Sequence, residues 1–120
     1  MDPTEWERLL FNLILHAGES RCKAKEAAEY ASEGKWEEAQ ACMDEANQEQ
    51  LEAHKVSSQV IKMEARGEPV DFSILLVHAM DLLLLAWSEI DFTEQFILLN
   101  KRVKTLEDEV AQWRNQKSEN

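Results

Sequence analysis

Two side chains capable of chemistry, His78 and Asp81, stand three residues apart inside an otherwise apolar run from Ile74 to Trp87. On a helix that spacing puts them on one side, close enough to act together. Burying either in a dry helix face without a partner would cost about 2–7 kcal/mol, so the pair demands a reason. One reason is a phosphoryl-accepting or metal-associated histidine with an acidic neighbour. The other is a satisfied core histidine beside a surface aspartate, and such pairs are common on helices.

The remaining candidates are weaker. His16 lies beside the apolar stripe of the first predicted helix and His54 near the inner face of the second. Both read as packing histidines rather than ligands or catalysts. Cys22 and Cys42 have no metal-type spacing and no cationic cluster beside them to activate a thiol, so they read as ordinary small residues of a reduced, cytosolic protein. The sequence has no glycine-rich phosphate loop, zinc-type spacing or Ser/His/Asp arrangement.

Composition narrows the class. A chain of 120 residues is one domain with room for a workable core. Its net charge of -11, with no basic block, argues against nucleic-acid binding, which depends on Lys and Arg neutralising phosphates. The opening Met1-Asp2-Pro3-Thr4-Glu5 is acidic where a secretory signal would be basic. The Ile74–Trp87 run is shorter than the roughly 20 residues needed to cross a bilayer, so no membrane insertion is expected.

Three helices must position these residues. Only three glycines and two prolines interrupt a sequence rich in Ala, Leu, Glu, Gln and Lys, which argues for nearly all helix. Asp2 caps the first helix with Pro3 in its first turn. Leu9, Leu10, Leu13, Ile14 and Ala17, then Ala24, Ala27, Ala28 and Ala31, form its apolar stripe. Gly34 ends it and permits a tight reversal. The second helix turns Trp36, Ala39, Met43, Ala46, Ala53, Val56, Val60 and Met63 inward and closes at Gly67 and Pro69. Asp71 is expected to cap the third, starting near Phe72. Short links force antiparallel neighbours, which makes an up-down-up three-helix bundle.

The third helix is too long for its partners. Residues 72–115 would span about 66 Å at 1.5 Å per residue. Phe92, Phe96, Leu99, Val103, Leu106, Val110 and Trp113 follow alternating steps of four and three, a heptad seam. Counting back in phase reaches Leu85, Leu82, His78 and Leu75, with Glu89 as the interruption. The other helices run out before this seam ends, so self-association competes with intramolecular packing as its explanation. Leu82, Leu85, Trp87, Phe92, Phe96, Leu99 and Val103 are the expected interface residues.

Val77-His78-Ala79-Met80-Asp81 resembles the His-Ala-Gln-Asp-His-Leu-Met signature of enzyme IIA of the lactose/cellobiose class. These proteins are histidine phosphocarriers of the bacterial phosphoenolpyruvate-dependent sugar phosphotransferase system. Ala17-Gly18-Glu19-Ser20-Arg21 is similar to the family's Ala-Gly-x-Ala-Arg segment, and Glu33-Gly34-Lys35-Trp36-Glu37-Glu38-Ala39 to its Gly-Asp-Phe-x-x-Ala turn. Glu52-Ala53-His54, Gln59 and Glu64-Ala65-Arg66-Gly67 follow in the family's order, so the likeness spans about residues 6–81.

The resemblance implies that His78 accepts a phosphoryl group from the small carrier HPr and passes it to a cysteine of the sugar-specific enzyme IIB. It implies a homotrimer with third helices around a common axis and Asp81 facing that axis, where three carboxylates could share an Mg-like divalent cation. No organic cofactor is implied. Arg21 matches the family's first-helix arginine and is a candidate phosphate-binding residue, a surface salt bridge being the other reading. The enzyme IIA-like domain is expected over residues 1–102, with 103–120 as a coiled-coil-like extension ending in a polar tail.

The departures point elsewhere. Met80 and Leu82 replace the Gln and the second His of the signature, and Leu84-Leu85 replace Met-Thr. Neither Met nor Leu donates a hydrogen bond, so two orienting groups are gone and transfer is expected to be weakened. Apolar replacements are also what an engineered or diverged assembly protein on the same trimeric scaffold would carry, with no phosphotransfer activity.

Overall fold

In the computed structural model the described residues run from Asp2 to Glu119. Met1 and Asn120, the outermost positions of the expected domain and tail, lie outside them. Three helices account for nearly the whole chain: α1 Pro3–Ser32, α2 Trp36–Ala65 and α3 Ile74–Glu119. They form the expected all-α up-down-up bundle. No helix among the described residues is long and apolar enough to cross a membrane.

The boundaries follow from local chemistry. The Asp2 carboxylate accepts from the Glu5 N–H at 2.9 Å, capping α1 as the sequence suggests. Both bundle turns use one device. Gly34, at φ 75°, donates to the Ala31 carbonyl while Lys35 N–H reaches Tyr30. Gly67, at φ 79°, donates to Glu64 while Glu68 N–H reaches Met63. These paired bonds satisfy the last carbonyls of each helix, and the positive φ is why glycine stands there.

The start of α3 departs from expectation. Its first residue is Ile74, and the cap is Ser73, whose Oγ accepts from the Leu76 N–H at 3.0 Å. Asp71 lies two residues too early for that role, and the serine's short hydroxyl performs it instead. The helix also runs to Glu119, beyond the expected 115, and continues without a break across residues 102 and 103.

Packing is dominated by small residues. α1 packs against both other helices far more extensively than they pack against each other. Ala17, Ala27, Ala39, Ala46, Ala53, Ala79 and Ala86 are wholly buried, and their small side chains allow the axes to approach closely. Leu10, Leu13 and Met43 fill the wider gaps. Ser20, also wholly buried, donates from Oγ to the Ala46 carbonyl at 2.9 Å, so its hydroxyl is satisfied and ties α1 to α2.

α3 has 46 residues, about 69 Å of helix, against 30 residues, about 45 Å, in each partner. The molecule is accordingly a rod of 78 × 20 × 20 Å. The buried face of α3 ends at Ile97, and residues 101–119 are exposed on every side.

Candidate functional site

The inner face of α3 is Ala79, Leu83, Ala86, Ile90, Thr93 and Ile97, spaced to repeat along one side of the helix. That register decides where the flanking residues go. At about 100° per residue, Asp81 falls nearly opposite the inner face, and His78 falls about 60° from Asp81 on the flank. Both are exposed. The premise that they are buried in a dry face therefore fails for the single protomer, and no desolvation cost needs a partner to offset it.

The three histidines differ in how they are engaged. His16 is half-buried and its Nδ1 lies 2.7 Å from Glu49 Oε2, bridging α1 and α2. His54 is not on the inner face of α2, as the sequence suggested, but exposed. Its ring meets Trp87 edge-on at 5.4 Å, and its Nε2 lies 3.5 Å from Ser58 Oγ. His78 alone makes no such contact among the described residues. It stands on the second turn of α3, held in place by the buried Ala79 beside it.

Met80 and Leu82 turn partly inward. Both pack against the cluster of Leu13, Ala17, Ala53, Ala79, Leu83 and Ala86. The Met80 sulfur receives the Ser57 hydroxyl at 3.4 Å. Two of the four positions that depart from the family signature, 80 and 82, have thus become packing positions, whereas Leu84 and Leu85 are exposed. Ser57 was not singled out from sequence, although its place between Ala53 and Val60 on the inner face of α2 was the available signal.

Arg21 is not brought to His78 within one chain. Its Nη2 lies 2.9 Å from Glu89 Oε1 and its Nε donates to the same oxygen at 3.0 Å. The hydrogen bond and the charge of Glu89 both stabilise the guanidinium cation, raising its pKa. Glu89 follows His78 by eleven residues, about 16 Å along the axis of α3. This pairing also explains the charged interruption in the heptad seam.

The expected interface residues divide in two. Leu82 is half-buried in its own chain and Trp87 is engaged with His54. Leu85, Phe92, Phe96, Leu99 and Val103 are exposed large apolar side chains, Phe92 to 74%. Cys22 is exposed, whereas Cys42 is buried with its Sγ 3.7 Å from Glu26 Oε2. Among the described residues no group of three or more His, Cys, Asp or Glu side chains is placed to hold a metal. Asp81 is a single carboxylate in its turn of α3, on the outer face.

The arrangement defines a class: an all-α bundle whose longest helix presents a free imidazole near its start. Residues 8–101 match the family described as PTS system, Lactose/Cellobiose specific IIA subunit, and the chain belongs to that family. The lichenan-specific phosphotransferase enzyme IIA component of Bacillus subtilis (strain 168) is 35% identical over 99 residues, 82% of this chain and 90% of the relative. The oligo-beta-mannoside-specific EIIA component of the same organism is 36% identical over 95 residues, 79% and 86% of the two chains. The crystal structure of the PTS cellobiose-specific enzyme IIA from Bacillus anthracis matches with a TM-score of 0.82 at 37% identity, covering 88% of this chain and 94% of that one.

Proposed function

We propose that the protein is a histidine phosphocarrier of the sugar phosphotransferase system, working in the cytoplasm between HPr and enzyme IIB. The observation that carries this reading is the exposed, unengaged imidazole of His78 on α3 of an enzyme IIA bundle. Neutral imidazole is a competent nucleophile near pH 7, because its unperturbed pKa is about 6.5. A ring nitrogen of His78 attacks phosphorus on phosphorylated HPr. The new N–P bond forms as the donor's N–P bond breaks and the donor imidazole departs. In the onward step a cysteine thiolate of enzyme IIB attacks the same phosphorus, forming an S–P bond as the bond to His78 breaks.

The carrier works as a homotrimer with α3 of each protomer at the axis. Asp81 supports this reading, because it lies on the side of α3 away from α1 and α2 and is free to meet its symmetry mates. Three such carboxylates are an oxygen-only donor set, which suits a hard divalent cation such as Mg²⁺. The cation would neutralise the mutual repulsion of the carboxylates. Arg21, held by Glu89 well away from His78 of its own chain, contributes to phosphate binding by acting across protomers. Transfer is weakened because Met80 and Leu82 supply no hydrogen-bond donors.

A second reading has its own support. The exposed apolar stripe of α3, together with Met80 and Leu82, favours an assembly protein on this scaffold whose transfer chemistry is lost. One experiment separates them. The protein and its His78→Ala variant are incubated with phosphorylated HPr and their intact masses measured. A single phosphoryl adduct that the variant lacks is expected. A well-folded oligomer that takes up no phosphoryl group would overturn the carrier reading, as would equal labelling of both proteins.

A further inference from the structure

The last third of α3 lies beyond everything the family accounts for. The family match ends at residue 101, yet the helix continues to Glu119 with no neighbour in its own chain. A helix of this length is marginal in water unless an apolar face is covered. The face exists: Val103, Leu106, Val110 and Trp113 are between 41% and 59% exposed, at steps of three, four and three. Phe96 and Leu99 lead into it in the same phase.

We propose that residues 96–113 of α3 form a parallel, in-register coiled coil with further copies of this chain. The stripe sets the heptad, with Phe96, Val103 and Val110 at the first core position and Leu99, Leu106 and Trp113 at the second. The flanking positions are then Arg102 and Glu109 on one side and Glu107 and Arg114 on the other. In a parallel pair, each residue of the first kind meets the partner residue five further along. Arg102 therefore faces Glu107 of the second copy, and Glu109 faces Arg114. Both contacts join opposite charges. An antiparallel pairing of the same six apolar residues would set Arg102 against Glu109 but Glu107 against the uncharged Asn100, and would leave Arg114 without an acidic partner, so the parallel pairing makes more of the four charges. The Lys104–Asp108 pair at 3.1 Å lies outside the seam and leaves it free.

This charge pattern selects a second copy of the chain over an unrelated partner, because the face is complementary to itself. The extension thereby continues the contact between protomers for about 25 Å past the bundle, and it clamps the assembly whether or not the axial carboxylates hold a cation. The inference rests on no phosphoryl-transfer step, so labelling at His78 reports on that reading separately.

The test uses the full chain. Light scattering across a dilution series should find a discrete oligomer, and Leu106→Asp/Val110→Asp should raise its dissociation concentration about tenfold or more. Arg102→Glu should weaken association, and Arg102→Glu/Glu107→Arg should restore it. In a Cys22→Ser/Cys42→Ser background, Leu106→Cys should form a disulfide between copies faster than Thr105→Cys, whose side chain faces away from the seam. A monomeric parent protein would overturn the proposal. So would an unchanged dissociation concentration, a charge exchange that restores nothing, or equal cross-linking at 105 and 106.

Discussion

Arg21 and Glu89 join α1 to α3 through one carboxylate oxygen, with guanidinium nitrogens at 2.9 and 3.0 Å. The pair explains why a charged residue interrupts an apolar seam, and why the arginine lies well away from His78 in the same protomer. Both side chains are more than a third exposed, so solvent and salt screen the attraction. Arg21→Ala should therefore lower stability by only about 0.5–1 kcal/mol. Urea melts at low and high ionic strength should find that difference shrinking with salt.

Met80 and Leu82 make a sharper prediction. Restoring the family's polar residues with Met80→Gln/Leu82→His should raise the rate of phosphoryl uptake by about tenfold or more, since positioned donors contribute at this scale or above. The same change withdraws apolar atoms from the cluster around Leu13 and Leu83. Stability should fall by about 1–3 kcal/mol. Single-turnover labelling and thermal melting of one preparation read both effects. A double variant no faster than the parent would show that these positions do not limit transfer.

Much of this was legible in the sequence. The apolar stripes of α1 and α2 made the bundle legible, because helical periodicity reports burial directly. Gly34 and Gly67 marked both turns, since each takes a positive φ at a helix end. The cap of α3 was misplaced because Asp71 and Ser73 are both good capping residues, and only the backbone path chooses between them. His54 looked like a core residue because it adjoins Ala53, but one step along a helix turns a side chain by about 100°. The ion pair of Arg21 with Glu89 joins residues 68 apart, a relationship no local pattern encodes. His78 and Asp81 were legible from their spacing inside an apolar run and from the likeness of residues 77–81 to the family signature. Their exposure was not, because the apolar run around them serves two faces of α3.

The two cysteines should separate cleanly by pH. Burial, reinforced by the negative charge of Glu26, pushes the Cys42 thiol above its ordinary range. Cys22 is exposed. A maleimide or disulfide reagent at pH 8 should modify Cys22 first and leave Cys42 until the chain opens or the pH rises well past the usual thiol value of about 8.5. The sign for stability follows. A folded-state value above the unfolded one favours the native protein below the unfolded pKa, and this contribution is lost as pH climbs through the folded value. Cys42→Ala should therefore show a shallower alkaline loss of stability than the parent.

Asp81 tests the axial site. Under the trimeric reading, three carboxylates meet where α3 helices converge, and without a cation they repel one another. Leucine at this position would remove the repulsion and add apolar surface in line with Leu85 and Phe92, two exposed residues on the same outer face of α3. In chelator, Asp81→Leu should therefore melt at a higher temperature than the parent. Adding Mg²⁺ should raise the parent's melting temperature and leave the variant's where it was, because only the parent can bind the ion. A variant that melts lower in chelator would place Asp81 away from the axis, since a carboxylate facing water has no repulsion to relieve.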